Sequence, residues 1–172
     1  MQVEEFLELP LVARVAVAGP AGPTVRPVWF LYEDGTFWWL TGSSYSRLGE
    51  LLAADARVSL VVDSCDLRTG QVLAVTATGV ATVHPFDAGL TTRKLTKYLG
   101  PDIEHWPAMF RGAFDDPTTR LVALRPRRAL VVRRRLRALG PVQLRGPVPV
   151  VRRRPRARGP AALRPSGPSL VR

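Results

Sequence analysis

Apolar residues occur in short runs over the first 125 residues, and glycine, proline and aspartate separate these runs. Their alternation and β-branched content predict strands over residues 12–18, 24–30, 57–62, 71–83 and 119–124. Two aromatic runs flank Asp34-Gly35, which predicts a β-hairpin with a tight turn at that dipeptide. The chain therefore contains five to seven predicted strands.

Helical spacing of apolar residues is confined to short segments between the predicted strands. We expect a first helix that ends before Pro10, and further helices over residues 48–54, 86–99 and 104–112. Long helices do not alternate with strands, so a doubly wound parallel sheet is not expected. The pattern predicts a mainly β protein with short helices, of the α+β class, built around a closed or nearly closed antiparallel barrel. Gly79, inside the longest predicted strand, is typical of a bulge or a barrel corner.

Charge divides the chain in two. Residues 1–124 contain ten basic and fourteen acidic residues, whereas residues 125–172 contain fifteen arginines and no acidic residue. Eight of the sixteen prolines also lie in that last segment. We therefore predict a folded domain over residues 1–128 and a disordered, arginine- and proline-rich tail over residues 129–172.

The predicted tail is suited at most to nonspecific binding of a polyanion. Its arginine clusters would attract nucleic acid by electrostatics. It contains no periodic pattern and no aromatic residue on which a base could stack. A segment without selected function is the other interpretation, and no specific binding of nucleic acid is expected.

The residues that usually build metal or disulfide sites are nearly absent. Cys65 is the only cysteine, and His84 and His105 stand 21 positions apart, which excludes an internal disulfide and a cysteine-rich zinc site. No apolar run is long enough to cross a bilayer, and the N-terminus does not resemble a secretory signal. We expect a cytoplasmic protein without a metal site or membrane contact. No triad or carboxylate pair marks a catalytic residue.

A loop rich in hydroxyl groups, residues 41–48, lies between the end of a predicted strand and the start of a predicted helix. Free backbone N–H groups and the positive end of the helix dipole suit this position to an anion, typically a phosphate. The same composition is typical of a polar loop that caps a helix. Spacing alone leaves both interpretations open.

Several motifs occur in an order that resembles a known superfamily. They are residues 26–30, Thr41, Ser46-Arg47, residues 55–60 and residues 79–81. Over roughly residues 3–125 this order is similar to the pyridoxamine 5′-phosphate oxidase-like superfamily of flavin- or deazaflavin-binding split β-barrels. The resemblance implies a six-stranded antiparallel split β-barrel. It also implies a homodimer with its cofactor, FMN or F420, at the subunit interface.

The same resemblance implies which residues bind the cofactor. Ser46 and Arg47 fall on the first two positions of the Ser-Arg-Lys segment that holds the cofactor phosphate in this superfamily, and Leu48 replaces its lysine. The backbone of residues 28–30 would lie against the ring system, with Thr41 near the ribityl or phosphate end. The implied cofactor-binding residues are Arg26, Val28, Trp29, Phe30, Thr41, Ser43, Ser46 and Arg47.

The activity that the resemblance implies is that of an FMN- or F420-dependent oxidoreductase, which transfers hydride on an unidentified small molecule. Such chemistry belongs mostly to the cofactor, so no side-chain acid or base is required. Leu48 favours a first alternative, a cofactor-binding barrel without turnover. Polyanion binding through the basic tail is the second alternative.

Two further groups of residues have a predicted orientation. Trp38 and Trp39 are adjacent on a predicted strand and must face opposite sides, one into the barrel and one towards a dimer partner. Lys94, Lys97 and Tyr98 share one face of the predicted third helix. Such a face is usually solvated, and in a dimer it could also border an anionic cofactor.

Overall fold

Eight strands and four short α-helices form residues 2–135, the part of the chain that the computed structural model describes. The strands are β1 (Val12–Val17), β2 (Thr24–Trp29), β3 (Leu31–Glu33), β4 (Thr36–Thr41), β5 (Arg57–Asp66), β6 (Gln71–His84), β7 (Arg120–Leu124) and β8 (Arg128–Arg135). The helices are α1 (Val3–Glu8), α2 (Leu48–Ala54), α3 (Ala88–Leu99) and α4 (Ala108–Arg111), with 3₁₀ turns at Ile103–His105 and Gly112–Phe114. The predicted mainly β fold with short helices is confirmed.

All neighbouring strands are antiparallel, and the sheet curls into a half-barrel. The strand order is β2-β1-β5-β6-β7-β4-β3, and β8 lies beside β6. The described residues therefore contain eight strands where six were expected. One of the additional strands results from an interruption at Phe30, and another is β8.

One continuous segment joins the two ends of the sheet. β2 pairs with β1, β3 pairs with β4, and Phe30 alone separates β2 from β3. The chain thus changes its partner strand at this residue. The hairpin that follows has positive φ angles at Asp34 (51°) and Gly35 (73°), as a two-residue type I′ turn requires. The predicted hairpin is confirmed.

The longest strand, β6, has a different partner on each half of one edge. Its other edge pairs with β5 over ten residues, from Asp66↔Gln71 to Arg57↔Val80. β8 pairs with the first half of β6 and β7 pairs with its end. Gly79 lies at the change of partner, where a Cβ atom would stand 2.9 Å from Leu124 Cδ1 and 3.2 Å from the Arg125 carbonyl oxygen. The corner predicted at Gly79 is therefore a point of close backbone approach.

β8 occupies residues to which the sequence pattern assigns the beginning of the tail. The strand that we expected to be last is β7, and β8 follows it after a three-residue connection. Leu130, Val131 and Val132 supply a β-forming run, but the arginines on both sides of it have the composition of a tail. The remainder of the predicted tail, residues 136–172, lies outside the described residues.

The hydrophobic core lies inside the curled sheet. β1 buries alternate residues, and Trp39 of β4 is fully buried, whereas its neighbour Trp38 lies beside His84 with ring centroids 5.5 Å apart. The two tryptophans face opposite sides of the strand, as predicted. Helices α1 and α2 add their apolar faces to the core with Phe6, Leu7, Leu48 and Leu52.

The structure contains no membrane-spanning helix within residues 2–135, because none there is both long and apolar enough. In the same residues, no group of three or more His, Cys, Asp or Glu side chains is arranged to hold a metal ion.

Candidate functional site

A cavity of about 730 Å³ lies between β2, the loop that leads into α2, helix α3 and the segment around α4. Ligand sites in proteins usually have volumes of this order. Its walls are mostly apolar, with Val28 from β2, Leu48 from α2 and Leu95 from α3. The size and lining suit a small organic molecule with a large apolar surface.

One wall of the cavity is aromatic. The ring of Trp29 stacks on Tyr98, with centroids 4.5 Å apart and planes 1° apart, and on Phe110, at 4.7 Å and 15°. Trp29 and Phe110 both line the cavity. Stacked rings of this kind present flat apolar surface next to which a planar ligand can pack.

Two basic side chains face the cavity without a partner among the described residues. Lys94 lines the cavity and is only 4% exposed, and it makes no hydrogen bond or ion pair within residues 2–135. Burial lowers the pKa of its amine to about 8. Arg26 also lines the cavity, and its Nε is buried without a hydrogen-bond partner. Unpartnered buried donors of this kind favour an anionic ligand.

The hydroxyl-rich loop contributes less to the cavity than its sequence suggests. Ser46 lines the cavity, and its Oγ accepts a hydrogen bond of 3.1 Å from the Leu48 amide. Arg47 is not part of the lining, because its Nε donates to Glu50 Oε2 at 2.8 Å and its side chain is 75% exposed. Ser43 is exposed, and Thr41 is buried with its Oγ1 unpartnered.

A carboxylate lies at the cavity wall on the side of this loop. Asp116 lines the cavity and accepts hydrogen bonds from the Ser44 hydroxyl and from the amide and hydroxyl of Thr118. These bonds, that of Ser44 first, lower the pKa of Asp116. Because an ionised carboxylate repels anions, the surroundings of Asp116 are less suited to a phosphate than those of Arg26 or Lys94.

The end of α3 fixes the position at which the chain changes from β2 to β3. Lys97 Nζ donates to the carbonyls of Leu7 at 2.7 Å and Phe30 at 3.1 Å. Tyr98 Oη accepts the Phe30 amide at 3.0 Å and donates to the Leu11 carbonyl at 2.7 Å. Burial lowers the pKa of Lys97 to about 8 and raises that of Tyr98 to about 12.

The solvated face that we expected on α3 is therefore not found. Lys94 is buried, and Lys97 and Tyr98 are held against backbone carbonyls. The reason is that α3 packs on the β2–β3 segment, so its basic face meets protein rather than water. The (i, i+3, i+4) spacing was the available signal, but it does not show which side of the helix is covered.

The cavity brings together some of the predicted cofactor-binding residues and not others. Arg26, Val28, Trp29 and Ser46 line it. Phe30 is fully buried in the core, so only its backbone could contribute to a site. Thr41, Ser43 and Arg47 do not belong to the lining. Sequence reasoning left out Phe110 and Asp116, which lie in a region without a recognisable motif. That any of these residues binds a cofactor stays a prediction.

The structure is that of an antiparallel half-barrel protein with a cavity lined in part by basic side chains. Comparison with known proteins identifies its family. The family model described as pyridoxamine 5′-phosphate oxidase matches residues 1–133. The chain therefore belongs to the pyridoxamine 5′-phosphate oxidase family. The match confirms the resemblance on which the predicted fold was based. A search of curated proteins found no match.

Solved structures show the same fold at low sequence identity. A conserved hypothetical protein from Mycobacterium tuberculosis is 22% identical with a TM-score of 0.61, and the match covers 75% of this chain and 81% of that one. An F420 reductase is 23% identical with a TM-score of 0.55, over 76% and 97% of the two chains. A FAD-binding protein from Mesorhizobium loti is 19% identical with a TM-score of 0.52, over 75% and 92%.

Proposed function

We propose that the cavity binds a flavin-type cofactor, FMN or F420, and that the protein is an oxidoreductase acting on a small molecule. The observation that carries this proposal is the combination of an aromatic wall at Trp29 with two unpartnered basic groups, Arg26 Nε and Lys94, in one cavity. A planar ring system that carries a phosphate matches both features. The name of the F420 reductase among the similar structures supports the deazaflavin as one of the two candidates.

The bound cofactor would supply hydride transfer, and the residues of this chain would bind, orient and shield it. In this proposal the Arg26 guanidinium binds the phosphate, and the Ser46 hydroxyl lies at the same cavity. Val28 and Trp29 provide the surface for the ring system. The apolar side chains of Leu48 and Leu95 exclude water from it.

Binding titrations test this proposal directly. Full-length protein should bind FMN or F420, and it should bind riboflavin, which lacks the phosphate, more weakly than FMN. Arg26→Met should lower the affinity for FMN about tenfold or more, because a charge-assisted hydrogen bond is lost. Arg68→Met, at an exposed arginine in the β5–β6 turn, is the matched control and should have no effect. Failure of the wild-type protein to bind either cofactor would contradict the proposal.

A second candidate is a cofactor-binding protein without turnover. Leu48 stands where the superfamily has a phosphate-binding lysine, and it is only 2% exposed, while Arg47 is paired with Glu50. The name of the FAD-binding protein among the similar structures mentions binding alone. Bound cofactor with no oxidation or reduction across a substrate panel would favour this candidate.

Two further properties are proposed, a homodimer and nonspecific binding of polyanions. We propose a homodimer, as the resemblance implies, which light scattering of the purified protein tests. Nonspecific binding of polyanions through the arginines of residues 129–172 is tested by its salt dependence, because phosphate contacts weaken steeply as salt rises.

A further inference from the structure

Lys94 is a buried amine whose position has no structural explanation in its surroundings. It lies in the middle of α3, is 4% exposed, and has no hydrogen bond or ion pair among the described residues. Transfer of an ammonium group from water into such a place is unfavourable unless a partner compensates for the lost hydration. Lys94 lines the 730 Å³ cavity, so that cavity is where a partner can approach its amine.

The neighbouring lysine shows what a structural lysine looks like on the same helix. Lys97 Nζ makes hydrogen bonds with the carbonyls of Leu7 and Phe30 and lies 3.7 Å from the centroid of the Phe30 ring. Its donors are therefore used inside the fold. Lys94 has no such partners, which distinguishes a donor that is available to a ligand from one that supports the structure.

We propose that Lys94 binds an oxyanion, a phosphate or a carboxylate, of the ligand that occupies the cavity. This inference rests on the proposed function only in taking the cavity as a ligand site. It places the anion at the α3 and β2 walls, where Arg26 supplies a second basic group, and away from Arg47. Asp116, held by Ser44 of the loop before α2, is an anionic group of the same lining and disfavours an anion next to it, so the two signs of charge would orient the ligand.

Anion binding at Lys94 depends on pH, because only the protonated amine attracts an anion. The pKa of about 8 means that the attraction falls as pH rises from about 7 to about 9.5. Among the other cavity groups, Asp116 has a lowered pKa and Tyr45 a pKa raised by burial. The Arg26 guanidinium stays protonated, as arginine does in proteins. None of these three changes its charge within that interval.

Lys97 is the group that could be confused with Lys94 in a pH titration. Its pKa is also about 8, through burial first, with Glu8 opposing the effect and Lys94 adding to it. Arg93, on the same helix, is paired with Glu33 at the surface. A variant that keeps a positive charge at position 94 at every pH, Lys94→Arg, separates the two lysines.

The first experiment compares FMN with riboflavin in wild-type protein and in Lys94→Met and Lys94→Gln variants. If the oxyanion is the cofactor phosphate, both substitutions lower the affinity for FMN about ten- to a hundredfold and leave riboflavin nearly unchanged. Two variants are used so that a packing defect in one does not decide the result. Circular dichroism confirms that each is folded.

The second experiment needs no cofactor. Anilinonaphthalene sulfonate, an aromatic anion, is compared with phenylnaphthylamine, the same aromatic system without the sulfonate, by fluorescence titration of the same variants. Lys94→Met should weaken binding of the anion about tenfold and leave the neutral probe unchanged. In wild-type protein the same loss should appear on raising the pH to about 9.5, and Lys94→Arg should retain the anion at that pH.

The two experiments distinguish a cofactor phosphate from an acidic group of another ligand. They also test the inference about Lys94 separately from the proposed function. A change in the FMN to riboflavin ratio assigns Lys94 to the cofactor phosphate, and a change confined to the sulfonate pair assigns it to an acidic group of another ligand. Equal ratios in wild-type and Lys94→Met protein in both experiments would overturn the inference. Absence of any flavin or F420 binding removes the proposed function, yet the sulfonate pair still decides whether Lys94 binds an anion.

Discussion

At the scale of single residues, the two lysines of α3 differ in whether hydrogen bonds compensate for the burial of their charge. Lys94 carries a buried charge without a partner, whereas Lys97 satisfies two backbone carbonyls. Burial of the charged Lys94 side chain on folding therefore lowers the stability of the protein. Residues that lower stability in this way are often retained because a binding site needs them.

The linkage between pH and stability gives a prediction for Lys94. Its pKa falls from 10.5 in the unfolded chain to about 8 in the folded protein, so the unfolded state binds more protons between these values. Stability is therefore lost as pH falls from about 10.5 to about 8. Lys94→Met should raise the free energy of unfolding at pH 7 by about 1–3 kcal/mol.

Urea unfolding at about pH 7 and about pH 10.5 measures this effect. The stabilisation by Lys94→Met should shrink at the higher pH, where the lysine is neutral in the folded state and already half neutral in the unfolded state. Leu95→Met, at a buried neighbour without charge, serves as the control and should show the same difference at both pH values. A pH-independent effect of Lys94→Met would show that no buried charge is involved.

Tyr98 gives a second prediction at the residue scale. Tyr98→Phe removes the hydroxyl that donates to the Leu11 carbonyl and accepts from the Phe30 amide. It keeps the ring that stacks on Trp29. Leaving these buried groups unsatisfied should lower the free energy of unfolding by about 1–3 kcal/mol.

Tyr32→Phe is the matched control, because the Tyr32 hydroxyl has no hydrogen-bond partner among residues 2–135. Denaturant unfolding of both variants should show a loss for Tyr98→Phe and a change within about 0.5 kcal/mol for Tyr32→Phe. Equal effects of the two substitutions would show that the hydrogen bonds of the Tyr98 hydroxyl do not stabilise the junction between β2 and β3 at Phe30.

At the scale of secondary structure, β6 depends on the absence of a side chain at one position. The chain that leaves β7 passes over Gly79 on its way to β8, and the Arg127 amide donates to the Thr78 carbonyl at 2.9 Å. Gly79→Ala would place a methyl group 2.9 Å from Leu124 Cδ1, so the connection must move. We expect a loss of about 1–3 kcal/mol in the free energy of unfolding.

Gly49→Ala is the contrasting variant for this prediction. Gly49 lies inside α2, and a Cβ atom there would have Thr41 Cγ2 at 3.8 Å as its nearest neighbour, an ordinary contact. Alanine at this position should stabilise the protein by about 0.5–1 kcal/mol, because it favours the helix. Thermal unfolding of both variants distinguishes crowding at Gly79 from a general effect of replacing glycine.

Elements with strong local signals could be predicted from the sequence, and those that depend on distant partners could not. Asp34-Gly35 and the helix Leu48–Ala54 have their turn chemistry and apolar spacing within a few residues. β8 is different, because its arginines have the composition of a tail. Its place in the sheet depends on pairing with the first half of β6, which lies far earlier in the chain, as the pair Ala77↔Ala129 shows. The same reason applies to the site, since only the packing of α3 on β2 turns Lys94 into a cavity residue.

At the scale of the whole molecule, the position of β8 bears on where the folded domain ends. The predicted boundary after residue 128 would separate β8 from β6, with which it pairs from Gln71↔Arg135 to Thr78↔Arg128. Its removal would leave the first half of β6 with an unpaired edge, which favours aggregation. We therefore expect the folded domain to need residues up to Arg135.

Two truncated proteins test this boundary. A chain that ends after Arg135 should have a higher melting temperature than one that ends after Arg127, by about 3 °C or more if β8 contributes at least about 1 kcal/mol. The shorter chain should also show more aggregation in light scattering. Equal melting temperatures would show that β8 is not needed for the stability of the sheet.

The pairing of β4 with β7 has a consequence for the order of events in folding. Phe37 pairs with Leu124, whereas the β1–β2 and β3–β4 pairs join strands that are close in sequence. Closing so long a loop has a larger entropic cost, so we expect the local hairpins to form early and the β4–β7 pair late. The residues that line the cavity extend from Val25 to Asp116. If the cavity binds a ligand as proposed, we therefore expect binding during refolding to follow the formation of the β4–β7 pair.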